Sequence, residues 1–173
     1  MDQLDPAKPD LKQITDTRQV NRVTEAQKTR SVMWVLALAG AFPFIILTLF
    51  VLFTDLHSPL HPLFVDGLKT YAVIILSFLG GIRWGLAMKS PQPERVRWVF
   101  WASNIGPVLG WFTLILPIPL VFAVQAMLFA AHGAWDSLAG QKGLYGLWFV
   151  KLRSVLTGIV VFCLLVAFLA TIG

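Results

Sequence analysis

Four polar side chains that lie among apolar residues are the candidates for chemistry in this sequence: Arg83, Asn104, His132 and Asp136. Arg83 precedes Lys89 by six residues, and Asn104 follows Arg97 by seven. At about 1.5 Å of rise per helical residue, both would lie roughly 10 Å inside the same edge of a membrane. His132 is one helical turn from Asp136, near that edge as well. We therefore predict an intramembrane polar cluster in which Asp136 is the partner of Arg83.

Arg83 has two other environments open to it, the membrane surface and a substrate site. Its long stem can cover apolar surface while the guanidinium group reaches lipid phosphates.

The segment that contains Arg83 also has a small residue at every fourth position: Ser77, Gly81 and Gly85. Such a ladder of small residues predicts close helix packing. At about 100° per residue, Arg83 lies about 160° from Gly81, so it faces either a different helix or lipid.

The patterns of common catalytic, cofactor and metal sites do not occur in this sequence. It contains no phosphate-binding glycine loop, no GxSxG nucleophile elbow and no HExxH zinc motif. His57 and His61 are four residues apart, but Pro59 and Pro62 argue against a helix that would align them on one metal ion. The one cysteine, Cys163, excludes an intramolecular disulfide. We expect no catalytic, cofactor-binding or metal-binding residues, and no enzymatic activity.

The composition of the chain is that of a membrane protein. Of its 173 residues 57% are hydrophobic and 13% are charged, whereas about a quarter of a soluble domain is charged. The net charge of +5 comes from short basic segments between apolar runs. This distribution is typical of topology determinants and does not favour nucleic-acid binding.

Five apolar segments predict an all-α bundle of five transmembrane helices. Residues 1–31 form a polar N-terminal tail, and residues 32–173 form the transmembrane domain. Each segment is close to the length of about 20 residues that crosses a bilayer, the fourth being the shortest. The predicted spans are Val32–Phe53, Tyr71–Lys89, Arg97–Pro117, Leu120–Trp135 and Val155–Ile172.

The positions of the lysines and arginines predict the orientation of these spans. Of the 14 basic residues, twelve fall in the N-terminal tail and in the second and fourth loops, which lie on one side of the membrane. Only Lys69 falls on the other side, and Arg83 lies within a span. Because basic loops stay in the cytoplasm, we expect a cytoplasmic (or matrix-side) N-terminus.

Two motifs resemble a family of uncharacterised inner-membrane proteins that includes transmembrane protein 69. The first is ILSFLGGIRWG, from Ile75 to Gly85, and the second is WFVKLRSVLT, from Trp148 to Thr157. The resemblance covers roughly Val35 to Val166. It implies a multi-pass protein of the bacterial plasma membrane, or of the mitochondrial inner membrane in a eukaryote, and it carries no biochemical activity with it.

We therefore expect a non-enzymatic membrane protein whose partners are the lipid bilayer, anionic lipid and other membrane proteins. Two other functions remain open, a carrier of a small solute or ion and a lipid-modifying enzyme. A carrier would be expected to place polar side chains near the membrane midplane, where the sequence offers Gln125 and Ser77.

Overall fold

The computed structural model describes residues 11–88, 93–141 and 146–172, with side chains from residue 19 onward and without those of residues 93–96. These residues form five α-helices joined by turns, and none of them forms a strand. The predicted all-α fold is confirmed. The helices are α1 (Leu11–Phe53), α2 (His61–Ala87), α3 (Pro93–Thr113), α4 (Leu120–Gln141) and α5 (Leu147–Ala170).

Three of these helices are long and apolar enough to cross a bilayer by length and composition. They are the part of α1 from Gln19 to Phe53, the whole of α2 and the whole of α5. Helices α3 and α4 have 21 and 22 residues, which is long enough to span at about 1.5 Å per residue. The most apolar stretches of α3 and α4 are less apolar than those of the other three helices, so the predicted number of five spans stays a prediction.

Two compact units divide the chain, Met1–Leu38 and Ala39–Gly173. In the first unit the described residues are helical and mostly exposed, with Lys28 and Glu25 forming a surface ion pair of 3.0 Å. Residues 1–10 of the predicted tail lie outside the described residues. The second unit contains the rest of α1 and the four following helices.

The core of the second unit is apolar and aromatic. Phe44 of α1 packs edge-on against Tyr71 of α2 and Phe129 of α4, with ring centroids 5.0 and 5.7 Å apart. The Tyr71 hydroxyl donates a hydrogen bond of 2.8 Å to the Gly40 carbonyl. The Thr48 hydroxyl donates to the Cys163 carbonyl of α5 at 3.4 Å. These contacts attach the inner part of α1 to three other helices.

Helix α2 begins ten residues earlier than predicted, at His61 in place of Tyr71. The prediction of a loop from Thr54 to Thr70 was wrong over its second half. Pro62 lies in the first helical turn, where a missing N–H leaves no hydrogen bond unmade and the fixed φ angle suits a helix. The proline therefore starts the helix. His57 stays in the preceding turn, exposed and 3.2 Å from Asp55.

The end of α4 and the start of α5 also moved towards longer helices. Helix α4 continues past Trp135 to Gln141, and α5 starts at Leu147, eight residues before Val155. Asp136 thus lies inside a helix, although the predicted fourth span ended just before it. Helix α3 ends at Thr113, before the prolines that separate it from α4.

Candidate functional site

Arg83 and Asp136 form a buried ion pair between α2 and α4. The Nη2 and Nε atoms of Arg83 donate hydrogen bonds to Oδ1 of Asp136, at 3.0 and 3.3 Å. Both side chains are only 6% exposed. Nη2 also donates to the His132 carbonyl at 2.9 Å. Of the environments left open for Arg83, the structure shows the internal ion pair.

Arg153 of α5 is the third member of this cluster. Its Nε donates to Oδ2 of Asp136 at 2.8 Å, and its side chain is 9% exposed. Asp136 therefore binds a guanidinium group with each of its oxygens, and the two groups come from different helices. We call Arg83, Asp136 and Arg153 the charged triad. Charge-assisted hydrogen bonds of this kind are the strong ones in proteins.

Arg153 was predicted to lie in the fourth loop, because the last predicted span starts at Val155. A signal was present in the spacing of the fifth helix. Arg153, Val160 and Ala167 are seven residues apart, and all three are buried. Residues at this spacing share one helical face, so a helix that starts earlier places Arg153 on the buried side.

His132 lies beside the triad but does not bond to it through its ring. The imidazole is buried, and its Nδ1 has no hydrogen-bond partner among the described residues. The ring packs on Gly106 of α3, where a Cβ atom would overlap the imidazole. The contribution of His132 to the triad is its backbone carbonyl, which accepts from Arg83.

Asn104 is the one predicted member that the structure does not bring to the cluster. Its side chain is exposed, and its amide donates to the Phe100 carbonyl of its own helix at 2.8 Å. The neighbouring Ser103 is the buried residue, at 1% exposure. The depth estimate placed Asn104 at a matching height, but adjacent residues of a helix point about 100° apart.

The ladder of Ser77, Gly81 and Gly85 does not pack against a described helix. Ser77 is exposed and donates to the Val73 carbonyl of its own helix. A Cβ atom on Gly81 or Gly85 would meet nothing within 4 Å. The predicted packing seam within the bundle was therefore wrong for the described residues, because the ladder lies on the outer face of α2.

Other glycines allow the close helix contacts. A Cβ atom on Gly80 would lie 2.5 Å from the Ser103 carbonyl and 2.8 Å from Cγ of Pro107. Pro107 cannot donate to that carbonyl within α3, so Gly80 of α2 packs on the backbone group that the proline leaves free. Gly133 and Gly140 of α4 pack on side chains of α5, those of Thr157 and Val150. The pairs α2 with α3 and α4 with α5 make the most extensive contacts between helices.

A second polar contact lies near the other ends of these helices. The amide nitrogen of Gln125 in α4 donates to the Lys69 carbonyl of α2 at 2.9 Å and to the Thr113 hydroxyl of α3 at 3.0 Å. Gln125 is fully buried. It joins three helices there, as the charged triad joins three helices at the opposite end.

A small cleft opens beside the triad, with room for about one water molecule. It is lined by Leu79, Ile82, Arg83, Leu86, Asp136, Phe149 and Arg153. Its polar groups are two cations and one carboxylate that is already bonded to both. Among the described residues no group of three histidine, cysteine or acidic side chains is placed to hold a metal ion. The chemistry that this arrangement offers is electrostatic, through the two guanidinium groups.

An all-helical bundle with three helices long and apolar enough to span a bilayer, and with a buried group of charged side chains bonded to one another, is typical of a membrane protein. The chain belongs to the family described as "Protein of unknown function (DUF3429)", whose model matches residues 29–169. The family resemblance found in the two sequence motifs is thus confirmed.

Two curated relatives carry the name transmembrane protein 69. The chain is 30% identical to the protein of Xenopus tropicalis over 130 residues, which are 75% of this chain and 50% of the relative. It is 28% identical to the protein of Mus musculus over 123 residues, which are 70% of this chain and 49% of the relative. The chain spans about half the length of these relatives. No solved structure matches the chain at a significant level.

Proposed function

We propose that this protein is a five-span inner-membrane protein with a structural role, one that packs with other membrane proteins and with lipid and catalyses no reaction. Its N-terminus would lie in the cytoplasm, or in the matrix of a mitochondrion. The bilayer, anionic lipid and neighbouring membrane proteins are its proposed partners.

The observation that carries this proposal is that Asp136 of the charged triad is fully bonded within the bundle. Both oxygens of Asp136 accept hydrogen bonds from buried arginines of two other helices. A carboxylate that transfers protons or binds a transported cation needs a free oxygen in at least one state of its cycle. The bonding of Asp136 is that of a clasp between α2, α4 and α5, which supports a structural role.

The burial pattern of α4 supports five spans. Three of the polar side chains that lower its hydropathy, Gln125, His132 and Asp136, are buried against other helices. A lipid chain beside α4 would meet its exposed apolar residues, such as Met127 and Leu138. Hydropathy averaged over a window counts inward polar groups as if they faced lipid, so it underrates a helix of this kind.

The exposed face of α3 is similar. Most of its exposed large side chains are apolar or aromatic: Trp98, Trp101, Ile105, Val108, Leu109, Trp111 and Phe112. Such a surface is costly in water and suits a bilayer, with the tryptophans favoured near its interfaces. We therefore assign α3 and α4 as the third and fourth spans.

Topology reporters test the number of spans. A reporter active only in the cytoplasm should work when fused to the N-terminus and fail when fused after Gly173, and an exported reporter should show the reverse. Both ends on one side of the membrane would remove one span and contradict the five-span arrangement.

Photo-crosslinking tests the structural role. A photo-reactive residue at Phe78, which is 63% exposed on α2, should crosslink to a defined set of membrane proteins in cells, and the same residue at the buried Leu76 should not. Membrane proteins of that set should lose abundance or assembled size when the chain is deleted. A deletion that leaves every membrane assembly intact, and instead changes a solute or lipid pool in a manner that depends on Asp136, would overturn the proposal.

A further inference from the structure

The charged triad has one positive charge more than it has negative charge. Arg83 and Arg153 are nearly completely buried and share a single carboxylate. The other acidic side chains of the second unit that the structure describes, Asp55 and Asp66, lie before or near the start of α2, far along that helix from Arg83. A buried charge without a counter-charge is strongly unfavourable, more so next to lipid. Among the side chains that the structure describes, the triad therefore lacks one anion.

Several donors of the triad are still available to such an anion. Arg153 uses its Nε for Asp136, and Arg83 uses Nε and Nη2. In the part of the chain that the structure describes, the terminal nitrogens of Arg153 and the Nη1 of Arg83 donate to no protein group, and none of them is among the fully enclosed polar atoms without a partner. Both arginines line the cleft beside the triad.

The surroundings of the cleft favour an anion that carries an apolar tail. Leu79, Ile82, Leu86 and Phe149 form the rest of its lining. Arg83 lies four residues before the end of α2, Asp136 five before the end of α4, and Arg153 six after the start of α5. At about 1.5 Å per residue the triad lies some 6–9 Å inside these helix ends. In the proposed bilayer arrangement this depth is close to the boundary between headgroups and acyl chains.

We propose that the cleft between Arg83 and Arg153 binds the phosphate group of an anionic phospholipid. A guanidinium group matches two phosphate oxygens with parallel hydrogen bonds. Since the cleft holds about one water molecule, one phosphate oxygen enters it and the rest of the headgroup stays at its mouth. The single charge of a phosphodiester neutralises the triad, and the acyl chains lie along the apolar lining. This proposal rests on the proposed insertion of α2, α4 and α5 in a bilayer.

Lipid titration of the purified full-length chain tests the proposal. In neutral detergent, phosphatidylglycerol should bind and raise the melting temperature, and phosphatidylcholine should do so much less. Arg153→Gln should weaken phosphatidylglycerol binding about tenfold or more, as expected for the loss of charge-assisted hydrogen bonds. Lys151→Gln is the matched control, because it removes one positive charge from an exposed position two residues away. Equal binding of the two lipids, or equal loss in both variants, would overturn the proposal.

Inorganic phosphate distinguishes the lipid headgroup from a free anion. Millimolar phosphate should stabilise the protein far less than phosphatidylglycerol does, because it has no tail to lie on the apolar lining. Stabilisation by phosphate equal to that by the lipid would overturn the lipid as the ligand.

If Arg153→Gln does not fold, the larger stabilisation of the wild type by phosphatidylglycerol than by phosphatidylcholine still tests the proposal. A second variant, purified with phosphatidylglycerol present throughout, tests the site through stability. Asp136→Asn leaves two unpaired guanidinium groups, so its stability should depend on phosphatidylglycerol more strongly than that of the wild type. A loss of stability that phosphatidylglycerol does not reduce would contradict an anion site. Crosslinking to membrane proteins can fail while lipid binding succeeds, or the reverse, so failure of the structural role and failure of the lipid site are distinguishable.

Discussion

Removing Asp136 should destabilise the protein more than removing either of the arginines that bind it. The reason is the unequal number of charges. Asp136→Asn leaves Arg83 and Arg153 buried with no counter-charge, whereas Arg83→Gln leaves Asp136 with its 2.8 Å bond from Arg153. In the absence of anionic lipid, the Asp136 carboxylate is the single negative charge of the triad, so its removal should cost the most stability.

The expected size of each effect follows from the bonds that are lost. Removing the partner of buried charges costs about 3–5 kcal/mol, which we expect for Asp136→Asn. Arg83→Gln loses its bonds to Oδ1 and to the His132 carbonyl. It also relieves the excess positive charge, so a net cost of about 1–2 kcal/mol is expected. The double variant, Arg83→Gln with Asp136→Asn, should lose less unfolding free energy than the sum of the two single variants, by about 1–3 kcal/mol.

Unfolding of the purified chain in neutral detergent without anionic lipid measures these free energies, for example by titration with a denaturing detergent. Asp66→Asn is the control, since it removes an acidic side chain that is 60% exposed and should change stability by less than about 0.5 kcal/mol. An Arg83→Gln variant as unstable as Asp136→Asn would refute the argument from charge balance. Additive effects in the double variant would refute the ion pair itself.

Two further predictions concern helix packing. Gly80→Ala should lower the stability by about 1–3 kcal/mol, because its Cβ atom would lie 2.5 Å from a backbone oxygen, while Gly81→Ala, with nothing within 4 Å, should be neutral or slightly stabilising. Thermal melting of the two variants checks this, and equal melting temperatures would contradict the assigned helix faces. Gln125→Met should cost about 1 kcal/mol, since it loses two hydrogen bonds and keeps a similar volume; an unchanged unfolding free energy would show that these bonds add no stability.

The polar cluster shows how far the sequence leads towards the site. Counting residues from a basic loop placed Arg83 inside one edge of the membrane, Asp136 was predicted near that edge, and the structure joins the two. The same count placed Asn104 at this depth, but its side chain is exposed on another face of α3. The depth of a residue along a helix follows from the rise per residue. Whether its side chain meets the cluster depends also on the direction in which it points relative to the neighbouring helices.

The glycines show the same limit. The ladder from Ser77 to Gly85 is regular in sequence, yet no described helix packs on it, and Gly80 makes the close contact instead. A signal for the inner face was present in α2, because Leu76, Gly80, Arg83 and Ala87 follow helical spacing and all are buried. Helical spacing identifies which residues share a face. When a helix has two such faces, only the neighbouring helix that covers one of them shows which face is buried.

The sequence by itself determined the membrane class, the all-helical architecture and the family. These depend on local quantities: the length of apolar runs, and the need of each backbone group in lipid for a hydrogen bond within its own helix. Only the tertiary structure decided that Arg153 completes the charged triad and that Asn104 does not. Those outcomes depend on the rotation of each helix about its axis, which is set by close contacts such as Gly80 on the Ser103 carbonyl and His132 on Gly106. Contacts between residues far apart in the chain leave no periodic pattern in the sequence, and they decide which polar side chains meet.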